Sequence, residues 1–150
     1  MKLIDYAQPT LLESTLIDSL MPALLSGIAS APALAGNLVL KGGAALRQFY
    51  FADARYSNDL DFSALSQLPS AAVLTASVQE AALVSGSLLG VGRDVRLYVE
   101  EVERQFNPVP LRSFHFVYEW NHHMDVRVAV EISLDETIVR SPAWLPLLHV

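Results

Sequence analysis

The chain has 150 residues, 52% of them hydrophobic and 17% charged, with 10 Lys+Arg against 16 Asp+Glu and no cysteine. That length is enough for one ordinary core, and the composition excludes an intrinsically disordered chain. The net charge of −6 argues against a protein that coats phosphate backbones regardless of sequence. The lack of cysteine excludes disulfides, thiolate zinc sites and a thiol nucleophile.

The amino-terminal residues 1–10 lack the charged-then-apolar layout of a signal peptide. The most apolar stretch, 21–36, is interrupted by Pro22, Ser26, Gly27, Ser30 and Pro32, so no membrane span is expected. The expected location is the cytoplasm.

In chain order, the first element is a helix over 10–30. Thr10 and Glu13 have capping-box spacing. Ile17, Leu20, Met21, Leu24 and Ile28 recur on one helical face, and Pro32 and Gly36 end the element. The run Asn-Leu-Val-Leu at 37–40 reads as a buried strand entering the turn Lys41-Gly42-Gly43. A short helix follows over 44–51, with Leu46, Phe49 and Tyr50 as packing residues, and then a loop over 53–58. Residues 59–63 alternate polar and apolar, the period of a strand.

Residues 69–89 read as a helix with Leu74, Val78, Ala81, Ala82 and Ser85 on one face, punctuated by Gly90 and Gly92. Three strands follow, at 95–102, 111–120 and 124–134. The short turn at 121–123 makes the last two an antiparallel hairpin. The tail from Ser141 is apolar, carries Pro142 and Pro146, and reads as a connector. The order predicts an α/β (α+β) fold, a mixed sheet with helices on at least one side.

The most informative stretch is 41–62. Asp59 and Asp61 stand two apart on a strand, so both carboxylates share one face, and Leu60 and Phe62 share the other. Adjacent carboxylates repel one another unless a cation sits between them. Mg²⁺ is the usual solution, because it takes oxygen ligands and keeps waters for phosphate. An exposed edge strand with two aspartates would look the same from this spacing alone.

Gly42-Gly43 between a strand and a helix lets backbone approach a ligand, with helix N–H groups free for phosphate, although such a pair can also be only a turn. In the last strand Asp125, Arg127, Ala129, Glu131 and Ser133 alternate with Val126, Val128, Val130 and Ile132. Glu131 therefore projects from the polar face. If this strand lies beside 59–63, three carboxylates converge as a candidate metal set. Otherwise Glu131 pairs with Arg127 on a solvated face.

Taken together, Lys41-Gly42-Gly43-Ala44-Ala45-Leu46 and Arg55-Tyr56-Ser57-Asn58-Asp59-Leu60-Asp61-Phe62, with a later acidic strand, resemble the AbiEii-type nucleotidyltransferase toxins of the DNA polymerase beta-like nucleotidyltransferase superfamily. The resemblance implies a polymerase-beta-like core and Mg²⁺- or Mn²⁺-dependent transfer of a nucleotidyl group from an NTP to an acceptor hydroxyl. It further implies tRNA or another RNA as acceptor, a cognate antitoxin as partner, and a role in phage defence.

By the same analogy Asp59 and Asp61 ligate the metal. Glu131 is the third carboxylate, which activates or orients the attacking hydroxyl. Lys41, Gly42, Gly43, Arg55 and Ser57 line the NTP site. Two departures stand out. Ala44 replaces the family's usual hydroxyl residue, and the family's helical carboxy-terminal domain is expected to be absent, leaving residues 1–150 as a single nucleotidyltransferase-like domain. A weak or inactive module acting through protein contacts is the alternative, and a metal-dependent phosphohydrolase is a third.

Other features carry less. His122 and His123 read as a solvated turn, and His115 and His149 as structural. The alternating Phe114, Phe116, Tyr118 and Trp120 read as core or interface. Arg47 is open to either the site or solvent. No Gly-x-Ser-x-Gly elbow, Walker A sequence or dinucleotide fingerprint is present.

Overall fold

A computed structural model of the chain describes residues 11–65, 70–90, 95–102, 111–120, 124–134, 138 and 141–148. Helix α1 (Leu11–Ser30) is followed by a single turn, α2 (Pro32–Ala35), strand β1 (Leu38–Lys41) and a short helix, α3 (Gly42–Ala45), which continues as a π-helical turn over Leu46–Tyr50. Then come β2 (Asp59–Ala64), α4 (Ala71–Leu89), β3 (Val95–Val102), β4 (Leu111–Trp120) and β5 (Met124–Ser133).

The five strands form one sheet in the order β1-β2-β5-β4-β3. Only the β2–β5 pair is parallel. The expected β4–β5 hairpin is present, although its turn at 121–123 lies outside the described residues, as do Thr10 of the expected capping box, Gly92 and His149.

Period-two patterning explains the layers. Leu60, Phe62, Phe114, Phe116, Val126, Val128, Val130 and Ile132 face the helices and are buried. Against them lie Ile17, Leu20, Met21, Leu24 and Ile28 of α1 and Leu74, Val78, Ala81 and Ala82 of α4, as the helical spacing predicts. The two helices cross closely at Gly27, where a Cβ would stand 2.0 Å from Ser85 Oγ and 2.4 Å from the Ala81 carbonyl oxygen. Helix α4 ends on Gly90 in the left-handed conformation (φ 68°). By length and composition α4 is apolar enough to cross a membrane, against the expectation of no such span, but its buried face belongs to this core.

Several expectations need correction. Strand β1 lies at the sheet edge and is half-buried, because an apolar run does not reveal strand order. Leu46 and Tyr50 are exposed, and Gln48 is buried instead. The cause is the π-helical turn, closed by Phe51 N–H donating to the Leu46 carbonyl at 2.7 Å, which alters which positions face inward. Strand β4 is buried on both faces at its centre, with Ser113, His115 and Val117 covered as well as Phe114 and Phe116. Trp120, at the end of the aromatic series, is exposed.

Candidate active site

Strand register fixes which polar residues are neighbours on the sheet face opposite Leu60, Phe62, Val130 and Ile132. Lys41 stands opposite Asp61, Asp61 opposite Glu131, and Glu131 opposite Ser113. One row of side chains therefore crosses four strands. Asp59 lies one step along the same face of β2, opposite Ala129, which is in turn opposite His115. Strand β5 lies beside β2, the adjacency on which convergence of the three carboxylates was conditional, and it places Glu131 next to Asp61. Arg127 forms an ion pair with Asp125.

The two halves of the motif meet in space. Gly42 has φ +76°, a conformation that disfavours any side chain, and a Cβ built on it would lie 3.2 Å from Asp61 Oδ2. A Cβ on Gly43 would lie 3.4 Å from Ser57 Oγ. A side chain on either glycine would thus meet the aspartate strand or the loop leading into it. Ser57 Oγ donates to the Asp59 carbonyl at 3.2 Å and reaches Asp59 Oδ1 at 3.4 Å.

Lys41 occupies the residue before α3 and sends its Nζ to Ser133 Oγ at 3.2 Å, over the polar face. Asp59 and Arg55 are exposed, whereas Lys41, Ser57, Asp61 and Glu131 are half-buried. Among the described residues, no group of three His, Cys, Asp or Glu side chains is gathered closely enough to hold an ion in this arrangement. Asp61 and Glu131 are register neighbours, but the three carboxylates do not form a closed ligand shell.

Ala44, the departure from the family pattern, is 2% exposed and belongs to the hydrophobic core. A concavity with no acidic lining lies elsewhere. It is an apolar groove of about 670 Å³ lined by Leu25, Leu34, Leu40, Phe49 and the tail around Trp144. The sequence left Arg47 open, and the structure assigns it to neither bulk solvent nor the acidic row. Its Nε bonds Asp18 Oδ1 of α1 at 2.5 Å, and one terminal nitrogen bonds Asp18 Oδ2 at 3.0 Å. The hydrogen bond to Asp18 holds the guanidinium pKa above its ordinary value, although burial opposes the shift. No sequence signal joins Arg47 to a partner 29 residues away.

No curated protein matches the chain. Residues 23–147 match the family described as nucleotidyl transferase AbiEii toxin, type IV TA system, and this span contains the glycine turn, the aspartate strand and Glu131. The mixed sheet flanked by helices agrees with a nucleotidyltransferase-like fold, and the chain belongs to the AbiEii family of nucleotidyltransferase toxins of type IV toxin–antitoxin systems.

Proposed function

We propose that the protein moves a nucleotidyl group from an NTP to a hydroxyl of an RNA acceptor, tRNA in the first instance, with Asp59 and Asp61 as metal ligands. The observation that carries this reading is the closeness of the two motif halves. Gly42 faces the Asp61 carboxylate and Gly43 faces Ser57, each across a gap that a single Cβ would fill, so polyphosphate bound at the turn would lie beside the acidic strand.

The donor atoms are of the kind a hard divalent cation takes, although the three carboxylates would have to close in around it. All are oxygen, two carboxylates share one strand face, and a third stands on the adjacent strand. When bound, Mg²⁺ or Mn²⁺ supplies charge neutralisation at the transferring phosphate.

The protein's own groups take the remaining tasks. Gly42 and Gly43 admit the phosphates to the backbone. Ser57 donates a hydrogen bond to a phosphate oxygen, and Lys41 and Arg55 offset negative charge. Glu131 orients the acceptor hydroxyl and takes its proton as the oxygen attacks the α-phosphate and pyrophosphate leaves.

The test is transfer of label from an α-labelled NTP to bulk tRNA by the full chain with Mg²⁺. Transfer that disappears in the Asp59→Ala, Asp61→Ala double variant supports the reading. Equal background from both proteins overturns it.

A further inference from the structure

We infer that Arg47 is a positioning residue that pins the loop carrying Arg55 and Ser57 against the Gly42-Gly43 turn. Its guanidinium is used on every side. Nε and one terminal nitrogen grip both carboxylate oxygens of Asp18 on α1. The other terminal nitrogen donates to the Ala52 carbonyl at 3.1 Å and also to the Ala54 carbonyl. The plane of the group covers the Tyr56 ring, 4.5 Å from its centroid.

The side chain of Arg47 is only 12% exposed and that of Asp18 19%, so this ion pair is held largely away from water. One residue therefore ties a core helix to three successive points of the loop, at 52, 54 and 56. Beyond these ties, the described bonds of this segment are few. Phe51 N–H donates to Leu46, Ala54 N–H donates to Phe51, and Ser57 bonds Asp59.

The consequence lies one residue further on. Ser57 Oγ faces the glycine turn, 3.4 Å from where a Cβ on Gly43 would stand, so sliding the loop would carry Ser57 away from Gly43 and move Arg55 with it. A planar fork with five N–H donors can serve a carboxylate and two carbonyls while stacking on a ring. A lysine ammonium cannot. The link to nucleotide rests on the function proposed above; the holding of the loop does not.

The experiment compares wild type with Arg47→Lys, using Asp18→Asn as a second variant that loosens the same grip from the other side. Hydrogen exchange of the peptide spanning 51–58 reads the loop, with β4 and β5 peptides as the internal control. Steady-state transfer reads KM for NTP against kcat. Expected are exchange at least about tenfold faster in 51–58 with the sheet unchanged, and a KM for NTP raised about tenfold with kcat within about twofold.

A purely structural role would lower kcat with the folded fraction and leave KM alone. That result, or unchanged exchange, overturns the inference. If wild type itself consumes no NTP while exchange still rises in the variants, the nucleotide reading fails and the loop-holding role stands.

Discussion

Gly42 and Asp61 are 19 residues apart, yet a single added carbon on Gly42 would come within 3.2 Å of the Asp61 carboxylate. The relationship arises because β1 and β2 pair antiparallel with Lys41 opposite Asp61, so the turn leaving β1 folds over the aspartate. Gly42→Ala should act twice. The left-handed φ of +76° costs a residue with a Cβ about 1–2 kcal/mol, and the methyl crowds Asp61 Oδ2. Thermal melting should show that loss of stability, and transfer should fall more steeply than the folded fraction. A variant with wild-type transfer would separate the turn from the chemistry.

Much of this arrangement was legible because it follows from local periodicity. Val126, Val128, Val130 and Ile132 announce a strand with one buried face, which puts Glu131 on the other, and all four are buried. The helical faces of α1 and α4 are equally plain. What could not be read are the relations between distant segments. Gly27 looked like a flaw in an apolar run but is the point where α1 admits α4. Arg47 has its meaning from Asp18, and the π-helical turn that exposes Leu46 and buries Gln48 leaves no local signature. The acidic pair was visible in the sequence, whereas its closeness to Gly42 needed the strand register.

Metal binding should appear as stability. A cation that binds the folded chain alone stabilises it by about 1.4 kcal/mol at ten times its Kd. Titrating Mg²⁺ into wild type should raise the melting temperature, and Asp59→Asn with Asp61→Asn should remove that rise. EDTA should abolish transfer. An identical Mg²⁺-dependent shift in the double variant would place the cation elsewhere on the molecule.

Gly27→Ala should destabilise the fold even though alanine is the better helix former. The propensity gain is about 1 kcal/mol. Against it stands the Ala81 carbonyl oxygen, 2.4 Å from the new Cβ, which is backbone and cannot turn aside. The helices must part, and overpacking of this kind costs about 1–3 kcal/mol. Ser85→Ala in the same chain should recover only part of the loss, since it removes the 2.0 Å contact with Ser85 Oγ and leaves the carbonyl. Gly36→Ala is the control, because nothing lies within 4 Å of a Cβ there. Denaturant midpoints for the four proteins decide the matter.

Alkaline stability should depend on Tyr98. Burial, followed by the hydrogen bond its hydroxyl donates to Glu119 Oε1 at 2.8 Å, raises its pKa above the ordinary value. The folded chain therefore keeps the phenol protonated where the unfolded chain, with a tyrosine pKa of about 10, has begun to lose the proton. The contribution is complete below about pH 10 and declines as pH rises toward the folded value, because only the unfolded state gains by releasing the proton. Tyr98→Phe should cost about 1 kcal/mol at neutral pH, the net worth of a hydrogen bond. The gap between wild type and variant should then narrow above about pH 10. Urea midpoints measured on both proteins across that range test this directly, and a gap that stays constant would mean that the Glu119 contact does not hold the proton.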